Sequence, residues 1–160
     1  MSDLRIEKRR VTVTVTLTAG HHFTGSLFLS GQAATHAGPE RLIDLLNAED
    51  GFVPFELVSP LGGRQTLLLN RAHIALVHAQ SAGDDLAEDP GYQVAAKKSV
   101  TLHLADGDSV TGVLRVERPA GRDRLSDLVS DETGFRYLES ATGILAVNLA
   151  HVVHITPLSE

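Results

Sequence analysis

Apolar and hydroxyl side chains alternate strictly near the start of the chain, over residues 11–18. A valine or leucine occupies each odd position, and a threonine follows each of them. A period of two with β-branched residues is typical of a β-strand, because successive side chains point to opposite faces. A turn at Gly20 and a returning strand at residues 23–29 complete a predicted hairpin.

The same hairpin pattern recurs later in the chain, which indicates an internal tandem duplication. Residues 13–27 read VTVTLTAGHHFTGSL and residues 100–114 read VTLHLADGDSVTGVL, so that Gly20 aligns with Gly107 without a gap. Two further blocks match in the same order, namely residues 41–46 with 124–129 and residues 70–74 with 148–152. We therefore interpret the chain as two repeats of one small unit.

Each repeat is predicted to contain about five strands and one short helix. The predicted strands are residues 11–17, 23–29, 52–58, 65–69 and 74–77, and residues 100–104, 110–116, 135–140, 143–147 and 152–155. Leu42, Leu45 and Leu46 form the apolar stripe of the first helix, which Gly38-Pro39 can open. The second helix has Leu125, Leu128 and Val129 in the same places. Short strands with tight turns favour a small barrel or sandwich.

The chain divides into a first repeat at residues 11–79, an acidic linker at residues 80–96 and a second repeat at residues 97–158. A unit of about 60 residues buries only about 60% of its surface on folding and is marginal alone. We therefore expect the repeats to share a core or a continuous sheet with pseudo-twofold symmetry, as in a fused homodimer. The alternative is two independent units on a flexible linker.

The composition is that of a globular protein, with 42% apolar residues and a formal net charge of −6 over 160 residues. This acidic balance argues against a nucleic-acid binder, which usually carries a basic stripe, although a local patch is compatible with it. The absence of cysteine excludes disulfides, cysteine-containing zinc sites and thiol nucleophiles. The sequence predicts no signal peptide and no membrane helix, so we expect a cytoplasmic protein.

The repeated blocks resemble an uncharacterised bacterial domain family with the pattern RLSDLLN…F…L…AVN…HI. Residues 124–128 read RLSDL and residues 146–152 read AVNLAHV. The resemblance covers the chain twice, apart from the tail and the linker. It implies a shape more than a function, because no activity is established for that family.

A more distant resemblance is to the Sm-like barrels. An alternating strand, a glycine turn and G-x-L occur at residues 13–27 and 100–114, and an apolar strand with a tight turn occurs at residues 68–77. The resemblance implies two tandem Sm-like or SH3-like barrels. Sm-like proteins have an Arg-Gly pair at the second turn, where this chain has Asn70-Arg71 and Asn148-Leu149. RNA or nucleotide binding is therefore an alternative function.

The repeated Asn-x-x-His corners are the candidate binding residues, namely Asn70, His73, Asn148 and His151. In the functional interpretation, the two corners offer donors and acceptors to a ligand in a groove between the repeats. In the structural interpretation, which we favour, each Asn amide bonds the nearby backbone of its turn and the His braces it.

The eight histidines lack a convergent metal-ligand spacing, and no nucleophile elbow or phosphate loop is present, so we expect no metal, no cofactor and no enzymatic activity. We expect a non-enzymatic binding or scaffolding module with a protein partner or self-association, for which the threonine-lined strand at residues 11–18 offers an edge. Alternatives are an Sm-like RNA- or nucleotide-binding protein and a small-molecule sensor that uses the groove between the repeats.

Overall fold

The computed structural model describes residues 8–31, 38–48, 51–79, 96–116 and 134–158. In these residues ten antiparallel strands form one open sheet, which confirms the prediction of a mainly β protein. The strands are β1 (Lys8–Leu17), β2 (His22–Ser30), β3 (Phe52–Val58), β4 (Arg64–Asn70), β5 (Ile74–Ala79), β6 (Ala96–Leu104), β7 (Ser109–Val116), β8 (Phe135–Ser140), β9 (Gly143–Asn148) and β10 (Val152–Pro157). A helix α1 (Leu42–Leu46) and 3-10 turns at Arg71–His73 and Leu149–His151 complete the described elements.

The first hairpin of each half, β1–β2 and β6–β7, closes through a glycine with positive φ. Gly20 has a φ of 89° and Gly107 has a φ of 95°, a conformation that glycine adopts without strain. The backbone N–H of Leu104 donates to Asp108 across this turn at 2.8 Å, as Leu17 does to His21 at 2.9 Å. The two glycines that align in the sequence therefore occupy the same turn position in the two hairpins.

The five strands of each half follow the same spatial order. The sheet runs β10-β6-β7-β8-β9-β5-β1-β2-β3-β4, so the first half (β1–β5) and the second half (β6–β10) each read fifth, first, second, third, fourth. The pairing registers also agree, down to an irregularity that skips Ala75 in β5 and Val153 in β10. The two halves thus have the same topology, and the pairing of β5 with β9 joins them into one sheet.

The expected pseudo-twofold packing is wrong, although a continuous sheet does join the halves. A twofold axis would pair equivalent strands or create two equivalent contacts, whereas here β5 of the first half pairs with β9, the fourth strand of the second half. The halves therefore meet head to tail. The expectation that the threonine-lined strand offers an edge is also wrong, because β1 pairs with β2 on one side and with β5 on the other.

The hydrophobic core of the described residues consists of two clusters, one in each half, which extend into each other at the junction. The first cluster takes residues from β1–β5 and α1, and it also contains Phe135 and Ala146 of the second half. The second cluster contains the other buried apolar residues described in the second half, and Leu76 of β5 packs against it. Each core is therefore completed by its neighbour.

The helix α1 is shorter than the pattern predicts, since it begins at Leu42 rather than near Pro39. Arg41 caps it: the Arg41 backbone N–H donates to the Asp44 carboxylate at 2.9 Å, and the Arg41 side chain forms an ion pair with the same group at 3.2 Å. Leu42 and Leu46 are its buried residues. The second predicted helix and residues 80–95 of the predicted linker lie outside the described residues.

Candidate functional site

Each Asn-x-x-His corner forms a short 3-10 turn between two strands. The Asn70 side chain accepts a hydrogen bond from the backbone N–H of Ala72 at 3.0 Å, and the Asn148 side chain accepts one from Ala150 at 3.1 Å. An Asn side chain that bonds backbone two residues further on is a common way to hold a turn. Both corners thus stabilise their own chain reversal.

The corner of the second half also reaches across to the first half. The buried Asn148 amide donates from Nδ2 to the Ile74 carbonyl at 3.0 Å, and His151 donates from Nε2 to the Ala72 carbonyl. A buried amide satisfied in this way fixes the relative position of the two strands it joins. Asn148 and His151 therefore belong to the junction between the halves.

The corner of the first half makes no such contact among the described residues. The His73 Nδ1 lies 3.3 Å from the Thr18 hydroxyl of its own half, and Asn70 ends the outermost strand β4. The four predicted residues are therefore not brought together into one site. Only Asn148 and His151 line the cleft at the junction.

This junction cleft has a volume of about 420 Å³ and is half-open to solvent. Its lining residues are Leu46, Asn47, Ala48, Arg71, Ala72, Gly134, Phe135, Asn148, Ala150 and His151. Asn148 and His151 already donate to backbone carbonyls there, and Arg71 donates from Nε to the Leu45 carbonyl at 3.1 Å. Asn148 and His151 thus join the two halves across the cleft, whereas Arg71 holds the helix α1 within the first half.

The helix α1 adds a second set of contacts across the junction, to β8. The Asn47 side chain accepts from the Phe135 N–H at 2.7 Å and donates to the Phe135 carbonyl at 3.0 Å. The Tyr137 hydroxyl accepts from the Ile43 N–H at 3.1 Å. A Cβ at Gly134 would lie 2.6 Å from the Asn47 side-chain oxygen, so this close approach favours glycine.

The exposed large apolar side chains of the described residues lie on or near the two outermost strands, β4 and β10. Each of them pairs on one side only in the described sheet. All of the large apolar side chains that are exposed in the described part lie on the β3–β4 hairpin, on β10 or directly after it: Phe52, Val58, Leu61, Leu68, Val153 and Leu158. We call β4 and β10 the open edges.

Charged groups beside the open edge at β4 are paired with one another. Glu56 on β3 accepts from Arg10 at 2.6 Å and lies 3.7 Å from Arg64 on β4. At the other end of the sheet, the rings of His103 on β6 and His154 on β10 stack with centroids 3.9 Å apart. No group of three or more potential metal ligands converges within the described ranges.

No family model matches the chain. No curated protein and no solved structure matches it either. Among the described residues, moreover, no helix has the length and apolar character that a membrane span requires. The arrangement of the halves and their open edges must therefore carry the functional interpretation.

Sequence reasoning missed Asn47, Phe135 and Tyr137 as junction residues. The sequence predicts Phe135 only as the first residue of a strand, and Asn47 follows the predicted helix without being a candidate site residue. A signal was present, because Tyr137 is one of only two tyrosines in a chain with few aromatics and its hydroxyl needs a partner when half-buried. The partner itself, 94 positions away, is set by tertiary structure alone.

Proposed function

We propose that the chain is a non-enzymatic binding or scaffolding module, made by duplication of a small Sm-like barrel unit, that binds protein through its open edges. The observation that carries the proposal is the concentration of exposed apolar side chains on β4 and β10 and beside them. Edge strands present unpaired N–H and C=O groups, and an extended strand from a partner can complete them.

The duplication is supported by details that alternation of residues alone would not produce. The cross-strand hydroxyl pair Thr14–Thr24, 3.0 Å apart, recurs as Thr101–Thr111 at 2.9 Å. The irregular pairing that skips Ala75 recurs at Val153. Both features recur at equivalent places in the two halves, which supports descent of the halves from one unit.

The barrel-like character of each unit is supported by close packing inside a half. Buried residues from all five strands of the first half pack into one cluster, which favours a curled rather than a flat sheet. A Cβ on Gly25 would lie 2.2 Å from the Glu56 carbonyl oxygen, and one on Gly112 would lie 2.3 Å from that of Glu139. These glycines permit the tight approach of the second and third strands.

The proposal is tested by affinity purification of the full chain from the cells that make it. Wild type is compared with Leu68→Lys on β4, Val153→Lys on β10 and the matched control Leu61→Lys. Leu61 is an exposed leucine in the β3–β4 turn, outside both open edges. We expect protein to co-purify with wild type and Leu61→Lys, and to be reduced at least tenfold with an edge variant, because a charge on an edge disfavours strand pairing.

Equal co-purification with all four proteins would overturn the role of the edges. Recovery of RNA or nucleotide in place of protein, with a steep loss on raising the salt concentration, would favour the Sm-like nucleic-acid alternative. Recovery of a small molecule alone would favour a sensor that uses the junction cleft. Both results would reject the scaffolding proposal.

A further inference from the structure

Two histidines from distant parts of the sequence meet at the outer end of the sheet. His103 on β6 and His154 on β10 pair directly across the two strands, and their rings stack with centroids 3.9 Å apart and planes 12° from parallel. We propose that this histidine pair binds a divalent transition-metal ion of the zinc, copper or nickel class through one nitrogen of each ring. The sequence predicts no such site, because only the pairing of β6 with β10 brings the two residues together.

The separation of the two rings suits two ligands of one ion. Zinc–nitrogen bonds of about 2.0–2.1 Å at a tetrahedral angle place two ligand nitrogens about 3.3 Å apart. Rings that stack with centroids 3.9 Å apart hold their facing atoms close to that spacing. The terminal torsion of a histidine has a broad minimum, so a small rotation of each ring brings one nitrogen of each onto the ion.

The ring nitrogens of the histidine pair are available to a ligand. Within the described ranges, the exposed ring of His154 has its stacking contact and no hydrogen bond. The Nε2 of His103 lies 3.1 Å from the hydroxyl oxygen of Thr156. A metal-binding histidine commonly donates its other ring N–H to a neighbouring acceptor, which fixes the tautomer and the orientation of the ring. When Nε2–H donates to Thr156, the Nδ1 of His103 carries the lone pair that the ion needs.

The fold itself does not require histidine at these two places. The equivalent residues of the first half are Thr16 and Leu76, which pair in the same register beside the same irregularity. The Thr16 hydroxyl lies 3.0 Å from the Nδ1 of His22, and Leu76 packs against the second core cluster. The second half thus has two imidazoles where the first half has a hydroxyl and an aliphatic side chain.

The surroundings of the histidine pair favour a cation. Neither residues 99–114 nor residues 149–160 contain a lysine or an arginine, and the whole chain has a formal net charge of −6. Asp106 and Asp108 lie in the turn between β6 and β7, and Ser109 pairs directly with His103. A negative local balance raises the concentration of cations at a surface. Water completes the coordination of an ion that has two imidazole ligands, which makes the bound ion exchangeable.

The bound ion connects the outermost strand to its neighbour. Because β10 pairs only with β6 in the described sheet, opening of β10 separates the two ligands. An ion that binds only the closed form stabilises it in proportion to its free concentration. At a free Zn²⁺ concentration of 100 times Kd, we expect the protected amides of β10 to exchange about a hundredfold more slowly.

The experiment is a titration of the full chain with Zn²⁺, read by isothermal calorimetry and by amide exchange. Wild type is compared with His154→Gln, with His154→Phe and with the matched control His21→Gln, which removes an exposed histidine near the first hairpin turn. We expect wild type and His21→Gln to bind one Zn²⁺ with equal affinity, and both His154 variants to bind at least tenfold more weakly.

His154→Phe separates metal binding from a structural role of the stacked rings. It retains a stacked aromatic ring but no ligand nitrogen, so it should keep the melting temperature of the metal-free wild type and lose the Zn²⁺ effect on β10. His154→Gln supplies the same test without an added apolar ring. Circular dichroism without Zn²⁺ checks the fold of each variant.

Equal Zn²⁺ binding by wild type and both His154 variants would overturn the inference, because the ion then lies elsewhere on the chain. Absence of binding, or binding that leaves amide exchange in β10 unchanged, would also overturn it. Weaker binding by His21→Gln alone would reject the assignment of the site to the histidine pair. The inference is independent of the proposed function, since these variants leave Leu68 and Val153 in place.

Discussion

The side-chain amide of Asn148 donates to the backbone carbonyl of Ile74, and the bond is buried between the two halves of the sheet. Asn70 occupies the equivalent place in the first half, at the end of the outermost strand, and its side chain bonds only its own turn among the described residues. Two asparagines with the same local sequence pattern thus have different surroundings, which makes them a matched pair for experiment.

Replacing Asn148 should therefore cost more stability than replacing Asn70. Asn148→Ala removes the turn bond and a buried bond to Ile74, and we expect a loss of about 1–3 kcal/mol in the free energy of unfolding. Asn70→Ala removes the turn bond alone, and we expect about 0.5–1.5 kcal/mol. Urea denaturation of the purified proteins measures both losses. Equal losses would contradict the assignment of Asn148 to the junction.

Adding a methyl group at Gly25 or Gly112 should destabilise the fold. The new Cβ would lie within 2.3 Å of a backbone carbonyl oxygen of the next strand, at Glu56 or Glu139, and neither strand can move without disturbing its neighbours. We expect Gly→Ala at either site to cost about 1–3 kcal/mol. Thermal unfolding measures the loss.

Gly63→Ala is the matched control for those substitutions. Its nearest neighbour to an added Cβ is the Ser59 side chain at 3.9 Å, and its φ lies outside the left-handed region. We expect an unchanged or slightly raised melting temperature, because alanine restricts the unfolded chain. A loss equal to that of Gly25→Ala would show that the close approach is not the cause.

Removing the Asn47 side chain should loosen β8 from the helix α1. Asn47→Ala deletes both hydrogen bonds to the backbone of Phe135, and we expect the Phe135 amide hydrogen to exchange at least tenfold faster, since its acceptor is lost. Asn47→Asp keeps an acceptor for this N–H but no donor for the carbonyl, so it should show an intermediate effect. Amide exchange at Leu104, whose bond lies in a distant turn, should be unaffected by either change.

Cysteines placed according to the junction register should form a disulfide within one molecule. The chain has no cysteine, so Val77→Cys with Ala146→Cys introduces the only thiols. Directly opposed residues in antiparallel strands lie about 4.5–5.5 Å apart, which suits a disulfide. We expect a faster-migrating, internally linked chain on a non-reducing gel after mild oxidation.

Leu61→Cys with Ala146→Cys is the control for that result. Leu61 is exposed in the β3–β4 turn, away from the β5–β9 pairing, so this pair should form no intramolecular bond. An equally efficient bond in the control would reject the junction register.

The strands were predictable because their information is local. The alternation at residues 11–18 predicts β1, and Gly20 and Gly107 mark turns that glycine favours for its positive φ. The junction was not predictable, because the choice between twofold and head-to-tail pairing depends on which edges fit. That choice involves contacts such as Tyr137 with Ile43, across 94 positions. The threonines of β1 likewise gave no sign that both sides of the strand are paired.

For the candidate site residues, too, the local role was predictable and the role at the junction was not. The Asn-x-x-His pattern is sufficient to predict a turn at both corners, because the Asn-to-backbone bond spans two residues. The same four-residue pattern is insufficient to predict that Asn148 is buried while Asn70 is not. That difference arises from the neighbouring half, which the local sequence does not encode.

Because the two halves are covalently connected, only certain numbers of five-stranded units can form a closed assembly. In any head-to-tail series built from this chain, every second junction is intramolecular and persists on dilution, while the intervening contacts dissociate. A closed ring must therefore contain an even number of five-stranded units, and an odd count is forbidden by connectivity alone.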